Sequence, residues 1–147
     1  MSDIQEMRFE YWCDLLRLLQ QAESRVLTYK RSPFSSTKKA TITFGLGRSG
    51  AHLWAGLSKK HQRVEVGFML DGDSAEDNFR KIFRDKQDIE QHLGRLDYAV
   101  GTKVRFPVMI AKSTEPFCRL NWHQNQSWMV DNLERFFDVF KPRVASL

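Results

Sequence analysis

Nine basic side chains stand in residues 24–64 without one carboxylate among them: Arg25, Lys30, Arg31, Lys38, Lys39, Arg48, Lys59, Lys60 and Arg63. Ammonium and guanidinium groups gathered in this way suit the binding of anions, phosphates above all. The remainder of the chain is nearer balance. Residues 1–23 carry two basic and five acidic groups, residues 65–90 four and eight, and residues 91–147 eight and five. The formal net charge of +5 over 147 residues therefore understates how unevenly charge is placed. Acidic neighbours that neutralise the stretch inside the fold are the alternative fate for it.

Other groupings have spacings that could carry chemistry. Gly45-Leu-Gly47-Arg-Ser-Gly50, with Asp71 some way on, has the spacing of a dinucleotide fingerprint, which requires a helix after the glycines. Leu53, Ala55 and Leu57 instead alternate with period two around Gly56, so the glycines read as a hairpin turn. Metal-dependent phosphodiester cleavage needs clustered carboxylates and a lysine beside the attacking water. The segment Ala51–Leu57 holds no acid, and Gly67 of Glu65-Val-Gly67 stands where lysine is required. Glu65, Asp71 and Asp73 could form a weak cation site, although Asp71-Gly-Asp73 also reads as turn chemistry. His52, His61, His92 and His123 lack ligand spacing, and Cys118 with His123 supplies only two ligands. No cofactor and no metal are expected, and the balance is against an enzyme.

The elements that must position these residues follow from periodicity. Ile4, Met7, Tyr11, Leu15 and Leu18, widened by Phe9, Trp12, Leu16 and Leu19, predict a helix over 3–22 that packs on a sheet. Residues 31–37 read as a loop. Ala40/Ile42/Phe44/Leu46, Leu53/Ala55/Leu57 and Val64/Val66/Phe68/Leu70 alternate and predict a three-stranded antiparallel meander, turning at 47–50 and 58–61. Ser74 with Asp77 predicts an N-cap for a helix over 75–93, which Gly94 ends. Val104, Phe106, Val108 and Ile110 predict a strand, placed by Pro107 at an edge or bulge. A short strand over 117–121 is expected beside it, then a helix over 125–140 stopped by Pro142. The order α-βββ-α-ββ-α makes residues 1–147 a single α+β domain, an antiparallel meander packed by amphipathic helices.

In such a meander the start of the first strand and the second turn share one end. Lys38, Lys39, Lys59, Lys60, His61 and Arg63 should therefore converge beside the Ser/Thr loop, as a phosphate-contacting rim or as an edge kept soluble by lysine. Arg48 falls at the opposite end, near Asp71 and Asp73. Trp54 lies on the opposite face of its strand from Leu53, Ala55 and Leu57, across from Glu65 or Gly67. If no helix covers it, it could stack on a base; if covered, it is core.

Length and composition set the frame. At 41% hydrophobic and 28% charged residues the chain suits one soluble globule. No apolar run approaches the roughly 18 residues of a membrane span. The polar start MSDIQEMRFE is no signal peptide, and Cys13 and Cys118 without a CxxC pattern fit reduced thiols, so a cytoplasmic location is expected.

Several landmarks in order carry a resemblance across nearly the whole chain. These are Phe9-Glu-Tyr-Trp12, Gly45-Leu-Gly-Arg-Ser-Gly50-Ala-His-Leu, Val64-Glu-Val66, Ile89-Glu-Gln-His-Leu-Gly94 with Tyr98 after it, and the block from Trp122 to Phe140-Lys-Pro142. Together they resemble a bacterial family known only as a domain of unknown function. Its members often follow nuclease-like modules of the PD-(D/E)xK type in proteins of DNA restriction or defence. The resemblance implies no catalytic residues. Three functions fit these features. The first is a non-enzymatic domain that binds nucleic acid or a nucleoprotein complex through Lys38, Lys39, Lys59, Lys60, His61, Arg63 and Trp54. The second is a protein-interaction or inhibitor domain that docks on an acidic partner, such as a nucleic-acid-processing protein, or on a second copy of itself. The third is a divergent or degenerate metal nuclease.

Overall fold

The computed structural model describes residues 3–30, 35–98 and 104–147; the first part of the expected 31–37 loop lies outside them. Helix α1 (Asp3–Gln21) opens with Asp3 and Glu6 against its positive dipole end and buries Tyr11, Trp12, Leu15, Leu16 and Leu19. Strands β1 (Thr41–Gly45), β2 (Ala51–Ser58) and β3 (Arg63–Asp71) form the expected meander. The glycine-rich segment is a hairpin turn. Gly50 takes φ +85°, a left-handed conformation, and its carbonyl accepts from Asp71 N at 2.9 Å.

The expected helix over 75–93 is two helices, α2 (Ala75–Ile82) and α3 (Lys86–Leu93), joined by a 3-10 turn at Phe83–Asp85. The run Arg84–Asp88 has no apolar side chain to hold a straight helix on the layer below. Arg143 meets Asp88 at 2.7 Å and Asp85 at 3.8 Å where the direction changes. Ser74 occupies the N-cap position without a side-chain capping bond, and Gly94 ends α3 at φ +81°.

Strand β4 (Asp97–Tyr98) precedes β5 (Arg105–Ser113), and the five strands run in the antiparallel order β1-β2-β3-β5-β4. The expected strand over 117–121 is not formed. Tyr98 already pairs with Val108 on the outer side of β5, while Cys118 N→Glu115 O and Asn121 N→Cys118 O make two successive tight turns instead. Pro107 faces Met69 on β3, and β4 reaches only Val108 and Met109, so no described strand asks Pro107 for an outward N–H.

Helix α4 (Trp122–Ala145) begins earlier and ends later than expected, with Pro142 inside it. The apolar stripe continues past the proline to the fully buried Val144. The last turn is held by Arg143 Nη1 donating to Val139 O and Ser146 Oγ donating to Pro142 O.

All helices described lie on one face of the sheet. Phe68 of β3 stacks on Phe140 of α4 at 4.0 Å, and Phe106 of β5 meets Phe79 of α2 at 5.2 Å. Tyr11 ties α1 to α4, its hydroxyl donating to Met129 Sδ at 3.4 Å, and burial pushes its phenol far above the usual range. One core joins the alternating strand residues Ile42, Phe44, Leu53, Ala55, Val64, Val66, Phe68 and Val108 to these helices. The opposite face, with Thr43, His52, Trp54, Glu65, Gly67 and Met109, packs against no described helix.

Candidate nucleic-acid interface

The register fixes which basic residues meet. Thr41 pairs with Gly56, and Leu57 N donates to Ala40 O at 2.9 Å, so the chain enters β1 where β2 leaves the sheet. The β2–β3 hairpin then turns through Lys59–Gln62. Gln62 is left-handed at φ +48°, with its side-chain amide donating to Lys59 O and His61 N donating to Ser58 Oγ. Thr114 N donates to Gln62 O at 3.1 Å, which brings the end of β5 alongside. Lys38, Lys39, Lys59, Lys60 and His61 are all exposed at this end.

Sorting the nine basic residues of 24–64 by what they touch leaves four. Arg25 pairs with Asp138. Lys30 is half-buried above the Phe44 ring, and burial lowers its pKa. Arg48 donates to Leu147 O, Arg63 Nε meets Glu65 Oε2 at 2.7 Å, and Arg31 lies outside the described residues. Among the described residues no carboxylate pairs with Lys38, Lys39, Lys59 or Lys60. The backbone at Lys39 is fixed nonetheless, since its carbonyl accepts from Trp12 Nε1 at 2.9 Å. The lysines thus extend from an anchored edge with no carboxylate partner among the described residues.

Two expected members of the site do not join it. Arg63 is at the rim but committed to Glu65. Trp54 lies four residues into β2 from Ser58, roughly 13 Å away at strand rise, and is only 9% exposed. Its indole covers Gly67, where an added Cβ would stand 2.1 Å from the ring. Trp54 is therefore a packed residue of the open sheet face, outside the main core, and offers a base no platform.

Two contributors escaped the sequence. Lys112 lies opposite Val64, one step from the Arg63–Ser113 pair at the rim. Its place follows from the β3–β5 pairing, which alternation within a strand does not reveal. The second is the start of α4. Asn125 Nδ2 donates to Thr114 Oγ1 at 3.3 Å, so this helix begins at the same end of the sheet. Its first turn carries no acid, and the partial positive charge of its N-terminus adds to the lysines.

The weak cation site that Glu65, Asp71 and Asp73 could have formed, the alternative to turn chemistry, is not assembled among the described residues. Glu65 and Asp71 are six residues apart on one strand, roughly 20 Å. Among the described residues no three acidic, histidine or cysteine side chains could hold a metal. The covered position 67 also has no room for the lysine that a nuclease would place there.

Fold and charge define a class: a small domain with a one-sided antiparallel sheet, helices on one layer and a cationic sheet end. Residues 7–144 match the family described as Domain of unknown function (DUF4268), and the chain belongs to that family. No curated protein and no solved structure matches the chain. Among the described residues no helix is long and apolar enough to cross a membrane.

Proposed function

We propose that this is a non-enzymatic domain that grips the phosphate backbone of nucleic acid with its cationic sheet end. The observation that carries the reading is the set of four lysines without a carboxylate partner among the described residues, while Arg25 and Arg63 are paired. From β1 to β5 this end spans three strand spacings, about 14 Å. That width matches about four phosphates of one strand. Lysines recognise phosphate as point charges, and the Trp54 ring lies packed on its own sheet away from them, so the contact is independent of sequence. Resemblance to domains that follow nuclease-like modules supports a role in DNA restriction or defence, where the module would hold substrate. The free cysteines Cys13 and Cys118 fit the cytoplasm, where such substrate lies.

Fluorescence anisotropy with short single- and double-stranded DNA and RNA of mixed sequence, at low salt, tests the reading. Binding that is indifferent to base sequence is expected. If none of the four probes binds at low salt, the reading is wrong.

A further inference from the structure

One apolar side chain stands out at the lysine end. Leu120 is 92% exposed, against 45% for Val104, the next most exposed large apolar residue described. Single exposed apolar residues are common on protein surfaces; the surroundings set this one apart. It is the middle residue of the 3-10 turn Arg119–Asn121, between β5 and α4. Before it, Pro116 is buried, Phe117 packs against the core and Cys118 N donates to Glu115 O at 3.2 Å. Arg119 Nη1 meets Glu10 of α1 at 2.8 Å, and its guanidinium lies 4.5 Å from the centre of the Trp122 ring. After it, Asn121 N donates to Cys118 O at 3.0 Å, and Trp122 is buried. These neighbours are tied to the fold, and the leucine stands out from them into solvent.

The turn belongs to the same end as the lysines. Thr114, which opens the connection from β5 to α4, donates its N–H to Gln62 O in the β2–β3 hairpin and accepts from Asn125 Nδ2 in the first turn of α4. Leu120 therefore lies beside the Lys59–Lys60 hairpin, on the helix side of that end. Arg119 and Glu10 neutralise one another, and Glu115, the one carboxylate of residues 114–121, stands five residues before the leucine.

We infer that Leu120 is a wedge that enters the base stack of a nucleic-acid duplex, a role that rests on the phosphate binding proposed above. Continuity with the lysines selects this occupant, because a duplex held by its phosphates brings its base stack to the same end. Apolar side chains inserted from the minor groove part neighbouring base pairs and kink the duplex. A hydrocarbon side chain forms no hydrogen bond with a base edge, so the wedge adds no sequence readout to the lysine contacts. It does require stacked base pairs, which narrows the ligand to a duplex. The same leucine seated in an apolar pocket of a partner protein would leave the bases stacked.

The test uses short DNA and RNA duplexes of mixed sequence, with their single strands alongside, titrated with the full chain at low salt. Aminopurine, a base analogue whose fluorescence rises when it unstacks, replaces each adenine in turn, and dyes at the two ends report bending by energy transfer. A bound duplex should brighten severalfold and bring its ends closer. Leu120→Ser should abolish both signals while leaving the salt dependence of binding unchanged, since no phosphate contact is lost. Leu120→Met should keep both signals, and neither change disturbs the fold because the side chain lies in solvent. A bound duplex that stays dark and straight, a Leu120→Ser complex as bright and bent as the wild type, a Leu120→Met complex without signal, or binding confined to single strands overturns the wedge and leaves the phosphate reading standing. Binding to none of the probes overturns both.

Discussion

The two ends of one sheet hold charge in opposite ways. At the β1–β2 turn, opposite signs meet. Asp71 is paired in register with Arg105 and lies 3.9 Å from His52 Nδ1, and Arg48 reaches Leu147 O. A cleft of about 320 Å³ there is lined by Arg48, Asp71, Asp73 and Asn78, so no single sign prevails. At the β2–β3 turn Glu65 is occupied by Arg63, Glu115 follows Thr114 in the chain, and among the described residues no carboxylate pairs with the four exposed lysines. Glycine-rich motif and acidic cluster, the features most often read as functional, sit at the balanced end. The unbalanced end has no motif at all. The difference teaches that the register, and not the local pattern, decides which charges remain free.

Breaking the shared scaffold should have the largest effect. Phe68→Ala removes the ring that stacks on Phe140 and should cost about 3–5 kcal/mol, seen as a lower denaturation midpoint and the loss of both ends together. Next comes Gly67→Ala, whose Cβ must displace the Trp54 indole at a cost of about 1–3 kcal/mol. Combining it with Trp54→Leu should recover part of that loss, a coupling that a double-mutant cycle would measure.

Contrasting the ends directly is the third prediction. Lys59→Glu/Lys60→Glu should weaken binding of a mixed-sequence duplex by at least about tenfold at low salt, while Arg48→Glu at the far end leaves it nearly unchanged. Equal losses from both would erase the comparison. The smallest effect concerns His52. Burial lowers its pKa, the charge of Asp71 opposes this, and Arg105 adds to the lowering. Its folded pKa lies below the unfolded value near 6.5, so the unfolded chain binds the extra proton. Stability should be full above that pH and decline as pH falls through it, and His52→Gln should decline less in melts at pH 7.5 and 5.5.

Most of the fold was legible because its signals are local. Alternation in β1–β3 and the helical stripe of α1 each state which face is buried. What was missed depended on contacts between distant segments. β4 is two residues long and exists only by pairing with β5. α4 passes through Pro142 because Val144 and Arg143 hold its last turn, partners that no local rule weighs. The site was legible to the same degree. Meander topology brought Lys38, Lys39, Lys59, Lys60 and His61 to one end, but the capture of Arg63 by Glu65 and the folding of Trp54 onto Gly67 are side-chain events. Glycine at position 67, directly opposite Trp54 on the neighbouring strand, was the available signal for the second of these, since only a missing side chain leaves room for the ring.

The central claim is that unpaired lysines at one sheet end contact phosphate, and the salt dependence of duplex affinity tests it most directly. With about four phosphates neutralised, log K should fall against log salt with a slope of roughly −3.6, about a hundredfold between 50 and 200 mM. Reversing Lys59 and Lys60 should make the slope shallower by about two. An affinity that is flat in salt, or a slope unchanged by the reversal, would contradict it.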